Sequence, residues 1–226
     1  MMCGIIGIVA TKSSFPLDKF KALLQEAKIR GLHATGLAFV DSGKLVCERQ
    51  ATSAETFKFP EAVAKKSTRV AIAHTRYSTS DLKFNQPIFS PTKAVILNGV
   101  ISQADPSEWK KLFGVECEGR NDAEIVLRLL EKQEHPLSVV DSSQACIYVD
   151  TELNELKFWR NEQRPLYWLE TEDCLIVAST KDIFKRAGFK QAPSNCTPCV
   201  EYGINLQSFK RTSQIIRKAN EDLQNV

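Results

Sequence analysis

Several runs in this chain read as strands without alternating apolar and polar residues: Gly4–Val9, Val70–His74, Ala94–Leu97, Ala145–Val149 and Leu175–Ala178. A strand with one face in water alternates. A strand that does not alternate has both faces covered. The chain must therefore build sheet that is packed on both sides. Thr35–Val40 and Lys44–Arg49 form a hairpin around Asp41-Ser42-Gly43, a turn rich in residues that tolerate positive φ. Leu156–Arg160 and Leu166–Leu169 are further strands. The covering elements are helices. Pro16–Ile29 places Leu17, Phe20, Leu24 and Ala27 on one face, and Asp122–Gln133 does the same with Ile125, Leu129 and Leu130. Thr180–Ala187 reads as a short helix closed by Gly188. The polar tail from Ser208 to Val226 reads as a loosely packed helix. Hairpin-linked strands with a few helices give an α+β layering of antiparallel sheet under helices.

The composition excludes several classes of function. At 226 residues the chain is most simply one domain with a substantial core. Its net charge of +3 comes from lysines and arginines spread along the chain, so a nucleic-acid surface has no support. No apolar run approaches the ~20 residues that cross a bilayer, and Ile5–Ala10 is short for a signal peptide and lacks a basic leader. The expected location is cytoplasmic, with no membrane partner. Seven cysteines, an odd number and mostly in apolar runs, suit reduced thiols. Cys196-Thr197-Pro198-Cys199 is a lone CxxC without a second Cys or His pair, a weak metal or redox signal.

Chemistry enters at the start of the chain, Met2-Cys3-Gly4-Ile5-Ile6-Gly7. If Cys3 becomes the first residue, its α-amine has a pKa near ~7.7–8.0 and can act as base for its own thiol. Gly4 removes bulk beside the nucleophile. The same residues also read as an ordinary first strand with an early cysteine. Because the chain begins Met1-Met2, loss of one Met leaves Met2 in front of Cys3. The chemistry therefore needs initiation at Met2 or further processing.

Other polar segments follow in order: Arg30-Gly31-Leu32-His33-Ala34-Thr35-Gly36, His74-Thr75-Arg76-Tyr77-Ser78-Thr79, Asn85-Gln86-Pro87, Asn98-Gly99 after a buried strand, Asn121-Asp122-Ala123-Glu124 opening a helix, and Arg164-Pro165-Leu166-Tyr167 before strands that end in Ala178-Ser179-Thr180. Individually each has a plain reading. Arg76 is suited to a surface ion pair, Asn98-Gly99 to a hairpin turn, and Asp122 to a helix N-terminus.

Together, in this order, the segments resemble the glutaminase domain of class II glutamine amidotransferases, which are N-terminal nucleophile hydrolases; the likeness runs from Cys3 to about Thr180. The resemblance implies a four-layer αββα sandwich of two antiparallel sheets between helices; the domain is placed at residues 1–204, with the polar stretch 205–226 read from its residues as a helical tail. It implies that Cys3 attacks the side-chain amide of glutamine to give a γ-glutamyl thioester, which water then hydrolyses, and that ammonia is released. Arg76 would grip the substrate α-carboxylate, for which a planar guanidinium is well shaped. Asn98 and Gly99 would form the oxyanion hole, where each donor is worth ~2.7–4 kcal/mol. Asp122 would receive the α-ammonium. Tyr77 and Thr79 would belong to a loop closing over glutamine, and Arg30 would orient the Cys3 region. The α-amine already supplies the base, so His33 and His74 are expected to be structural and His135 to face solvent. No metal and no cofactor are implied.

Two departures from the family pattern stand out. Leu97 replaces a His before Asn-Gly, and Ser80-Asp81 replaces a His-Gly after the Thr. Roughly forty residues follow the last motif, fewer than a second catalytic domain needs. The expectation is thus a stand-alone glutaminase that passes ammonia to a separate synthase protein. The alternatives are cleavage of another γ-glutamyl amide by Cys3, or a non-catalytic regulatory homologue with the same fold. The nitrogen acceptor is not encoded in these motifs.

Overall fold

The computed structural model describes residues 3–216 except 13, 66, 79–81 and 83. In chain order its elements are β1 (Gly4–Ala10), α1 (Leu17–Ala27), β2 (Ala34–Asp41), β3 (Lys44–Gln50), β4 (Val70–Arg76), β5 (Ile88–Phe89), β6 (Lys93–Val100), α2 (Trp109–Phe113), α3 (Ala123–Glu131), α4 (Pro136–Val139), β7 (Ser143–Asp150), β8 (Glu155–Arg160), β9 (Tyr167–Glu170), β10 (Cys174–Ala178), α5 (Lys181–Arg186), β11 (Ser194–Asn195), β12 (Val200–Asn205) and β13 (Arg211–Ile215). They form a seven-stranded sheet, β11-β9-β10-β1-β4-β2-β3, and a six-stranded sheet, β13-β12-β8-β7-β6-β5. All strand pairs are antiparallel.

The packing explains why the central strands do not alternate. Ile5 and Val9 of β1 enter a core between the sheets with Ala94, Ile96, Ala145, Ile147 and Val177. Ile6, Ile8 and Ala10, one residue out of phase, enter a second core with Phe20, Leu23 and Leu24 of α1 and Ile183 and Phe184 of α5. On the far side, Val95, Leu97 and Cys146 meet Ile125, Val126 and Leu129 of α3 in a third core. Three cores between four layers make the expected αββα sandwich. Each fully buried Ile or Leu contributes ~1.5–3 kcal/mol against exposure, so both faces of β1 hold it in place.

The strands expected from the sequence lie where the sequence analysis put them, most with ends extended by one to three residues, while Leu166–Leu169 is shifted by one to Tyr167–Glu170. The Asp41–Lys44 hairpin has Ser42 at φ 53° and Gly43 at φ 79°, the positive-φ pair that a right-twisted two-residue turn needs. Gly188, at φ 87°, follows α5 as expected. The tail is a correction. Over Arg211–Ile215 it is not helix but the edge strand β13, paired with β12 from Val200↔Ile215 to Ile204↔Arg211. Its residues offer no apolar helical stripe, and pairing with β12 satisfies its backbone on one side. Residues 217–226 lie outside the described residues. Among the described residues no helix is long and apolar enough to cross a membrane.

The register carries the layers to the site. Gly4 lies opposite Thr75 and Ile5 opposite His74, so Cys3 and Arg76 come next on adjoining strands. Cys3 has the phase of Ile5 and Val9, His74 that of Val70 and Ile72, and Asn98 that of Ala94 and Ile96, all on the inter-sheet side. The polar ends of three strands therefore meet where the apolar inter-sheet core stops. Gly36 lets a loop lie against this sheet: a Cβ there would be 1.9 Å from the Gln86 carbonyl oxygen. Gly36→Ala should therefore destabilise the protein by about 1–3 kcal/mol, the usual cost of overpacking, seen as a lower urea midpoint with an unchanged slope.

Candidate active site

Cys3, His74, Arg76, Tyr77, Gln86, Asn98, Gly99, Arg120, Asn121, Asp122 and Arg164 line one cavity of about 360 Å³ at this end of the sandwich. Of the sequence candidates, Cys3, Arg76, Tyr77, Asn98, Gly99 and Asp122 face it directly. Arg30 stands behind Cys3 and donates from Nε to the Cys3 carbonyl at 2.8 Å. Thr79, Ser80 and Asp81 lie outside the described residues.

Burial pushes the Cys3 thiol pKa up. A hydrogen bond with the Tyr77 backbone and the charges of Arg76 and Arg30 oppose this, while Asp122 adds to it. The net effect keeps the thiol protonated at neutral pH, so a nearby base has to take its proton before it can attack. His74 cannot be that base. It is 1% exposed. Burial, and then the charge of Arg76, lower its pKa to about 3, against a smaller opposing hydrogen bond with the Leu97 backbone. The imidazole stays neutral across the physiological range.

Asn98-Gly99 is not a turn. Both residues lie inside β6, Asn98 opposite Ala145 and Gly99 opposite Gln144. The glycine is required by β7: a Cβ on Gly99 would be 1.9 Å from the Ser143 carbonyl oxygen. Asn98 is 1% exposed, and its Nδ2 has no hydrogen-bond partner among the described residues. A buried amide donor left unpaired costs about 1–3 kcal/mol, and this one lines the cavity, where a water or ligand atom can reach it. Asp122 begins α3, yet its side chain makes no cap. Its Oδ2 accepts from the Ile101 N–H at 2.6 Å, and the cap falls to Asn121, whose Oδ1 accepts from Ala123 N–H at 3.1 Å. Burial raises the Asp122 pKa, and the backbone N–H donors of Ile101 and Ser102 pull against it.

Sequence reasoning did not assign the residues that hold this frame. Phe84-Asn85-Gln86 acts as a buckle. Arg76 Nη1 donates to Asn85 Oδ1 at 2.6 Å and to the Phe84 carbonyl at 3.0 Å; Asn121 Nδ2 donates to the same carbonyl at 2.9 Å. Gln86 Oε1 accepts from Leu97 N–H at 2.6 Å, one residue before Asn98. Glu124 is 5% exposed, and its oxygens accept from Glu118 N–H at 2.9 Å and Gly119 N–H at 2.7 Å while Arg128 Nη2 lies 3.2 Å away. It pins the turn that delivers Arg120, Asn121 and Asp122. At the other wall, Ile5 N–H donates to Ser179 Oγ at 2.8 Å and fixes the strand just past Cys3. The only hint of these roles in the sequence was that Asn85, Gln86, Asn121, Glu124 and Ser179 lie within the ordered motifs; Phe84 lies just outside them.

A larger cavity, about 680 Å³, lies on the outer face of the second sheet, and its lining is acidic, with Glu131, Glu134, Asp150, Glu152 and Glu201 against Lys93 and Lys157. Lys157 Nζ lies 3.3 Å from Glu201 Oε1, and Tyr148 donates to Asp150 Oδ2 at 2.9 Å. His135 belongs here, which corrects its expected exposure: its Nε2 is 3.2 Å from Glu201 Oε2 and its ring packs edge-on against Trp159 at 4.9 Å. The CxxC pair is divided, with Cys196 in the inter-sheet core and Cys199 half-buried at φ 57°. Among the described residues no group of three His, Cys, Asp or Glu side chains could hold a metal ion.

Residues 74–186 match the model of the glutamine amidotransferase domain. The glutamine–fructose-6-phosphate aminotransferase (isomerizing) of Agrobacterium fabrum is 31% identical over 137 residues, 58% of this chain and 22% of that protein. The amidophosphoribosyltransferase of Rhizobium etli is 25% identical over 142 residues, 59% of this chain and 28% of that protein. The chain thus spans 22% to 28% of the length of these relatives. Among solved structures, the glutamine phosphoribosylpyrophosphate amidotransferase of B. subtilis superposes with a TM-score of 0.73 at 19% identity, over 94% of this chain and 49% of that one. A glutamine aminotransferase class-II domain protein from Silicibacter pomeroyi gives 0.57 at 11% identity, over 95% of this chain and 99% of that one. At these identities the superpositions show a shared fold.

Two outcomes follow from the site's geometry. The unfolded chain protonates its histidine near pH 6.5 and folded His74 only near 3, so between these values the unfolded state holds the extra proton. Stability should fall as pH drops through that window, by up to about 1.4 kcal/mol per pH unit for this one proton, and urea midpoints of His74→Asn should show a flatter slope. Glu124→Gln removes the charge that holds two backbone donors and should cost about 1–3 kcal/mol of stability by thermal melting.

Proposed function

From a chain that belongs to the class II glutamine amidotransferase domain family, we infer an enzyme that hydrolyses glutamine to glutamate and ammonia at Cys3. The observation that carries this reading is the unpaired, buried Nδ2 of Asn98 in the same cavity as the Cys3 thiol. An acyl-transfer site needs a donor waiting for an oxyanion, and this one has no other occupation among the described residues.

In the proposed reaction Cys3 is the N-terminal residue and its α-amine takes the thiol proton. Sγ bonds to the γ-carbonyl carbon, and the carbonyl oxygen becomes an oxyanion held by Asn98 Nδ2 and the Gly99 backbone N–H. The C–N bond breaks as the amine returns the proton to the leaving nitrogen, and ammonia departs. Water, activated by the same amine, hydrolyses the thioester. Arg76 takes the α-carboxylate and Asp122, whose Oδ2 is held in place by the Ile101 N–H, takes the α-ammonium. Tyr77 forms a wall beside Cys3 and contacts its thiol through the backbone. Arg30 holds the Cys3 carbonyl and so fixes the nucleophile's rotation about the start of β1. The released ammonia is delivered to a synthase on a separate protein.

The test is mass spectrometry of the protein incubated with 6-diazo-5-oxo-norleucine, a glutamine-like alkylating agent. One adduct on an N-terminal Cys3 is expected, and none in Cys3→Ala. Asn98→Ala should bind glutamine and lower kcat by about 10²–10³. A free N-terminal Cys3 that takes no adduct and releases no ammonia from glutamine would refute the reading.

A further inference from the structure

Glutamine brings one carboxylate and one ammonium group, which Arg76 and Asp122 match under the reading above. The cavity holds more positive charge than that. Its described lining also includes the guanidiniums of Arg120 and Arg164, against the single carboxylate of Asp122. His74 in the same wall is neutral. Among the described residues neither additional guanidinium is in an ion pair. Arg164 donates from Nε to the neutral hydroxyl of Ser143, and exposed Arg120 feels the carboxylate of Asp105 only at longer range. Unmatched guanidiniums in a cleft raise the local concentration of anions and can grip an oxyanion group with two parallel hydrogen bonds.

Their positions are unequal. Ser143, which anchors Arg164, pairs with Val100 and places its carbonyl against Gly99. Arg164 also lies close enough to Arg30, which holds the Cys3 carbonyl, for the two charges to disfavour each other. Arg164 therefore stands at the scissile end of the cavity. Arg120 lies two residues before Asp122, on the turn pinned by Glu124.

We propose that this site, if it is the glutaminase inferred above, prefers γ-glutamyl amides whose leaving amine carries an anionic group, with Arg164 receiving that group and Arg120 adding to the field at the mouth. The chemistry is unchanged. Cys3 Sγ bonds to the γ-carbonyl carbon, the C–N bond breaks, and the leaving nitrogen takes the proton that left the thiol. Water then converts the thioester to glutamate. The product is an anionic primary amine in place of ammonia, and glutamine is the smallest amide the site accepts.

The experiment compares kcat/KM of the protein with Cys3 at its N-terminus on three amides: glutamine, γ-glutamyltaurine and the uncharged γ-glutamylpropylamide. The sulfonate amide should exceed the uncharged one by about tenfold, the scale of one charge-assisted hydrogen bond, and the ratio should shrink with added salt. Arg164→Gln should bring the ratio close to one. Arg120→Gln, on an exposed side chain without a hydrogen bond among the described residues, should reduce it severalfold and is independent of any folding defect at Arg164. A ratio of one or less while glutamine is hydrolysed overturns the proposal and leaves the glutaminase reading intact. A high ratio that survives both substitutions overturns the assignment to these arginines. No turnover and no acylation of Cys3 by any of the three overturns the glutaminase reading as well.

Discussion

The structure hangs on the double burial of β1. Ile5 and Val9 go into the inter-sheet core, and Ile6, Ile8 and Ala10 into the core under α1 and α5. A strand clamped on both faces between β4 and β10 cannot slip by one residue without turning every side chain over. That rigidity is transmitted to Cys3, the residue just before it. A residue this near the start of a chain would ordinarily be among its loosest. Here the neighbouring backbone is fixed by Ser179 through Ile5 and by Arg30 through the Cys3 carbonyl.

The site is polar because it lies where the inter-sheet core ends. One step further inside, the same strand phases carry Ile5, Ile72 and Ile96. The transition from Ile to Cys3, His74 and Asn98 occurs within two residues on each strand. It leaves buried polar groups that the fold must either pair or leave waiting. His74 is handled by losing its charge, Asp122 by two backbone donors, and Arg76 by the Phe84-Asn85 loop. Asn98 Nδ2 is left without a partner. His74 Nε2 in the same wall and Arg30 Nη2 behind it are likewise buried without a partner among the described residues, so the unpaired groups gather around Cys3.

Much of the fold was legible because burial on two faces leaves a direct mark in composition. The runs at Gly4, Val70, Ala94, Ala145 and Leu175 could hardly be anything but covered strands, and helix α1 showed its apolar face plainly. The tail misled because β13 is an edge strand with every residue exposed, so no burial pattern marks it. His135 misled because its surroundings, Glu201 on β12 and Trp159 on β8, lie far away in sequence. Asn98-Gly99 has the local chemistry of a turn, and pairing with β7 overrides that preference.

What the sequence determined by itself was the inventory and its order: a thiol before a doubly buried strand, an arginine at the end of another, an amide and a glycine in a third, a carboxylate at a helix start. Those are local matters of residue type and hydrophobic period. The tertiary structure alone decided which of these groups share one cavity, which stand behind it, and which are already taken. It showed that Glu124 and Gln86 are frame and that Arg120 and Arg164 line the cavity. It also made His74 neutral and raised the Cys3 pKa. Those properties come from desolvation and from charges brought together across long stretches of chain. They belong to no residue until the two sheets have closed on each other.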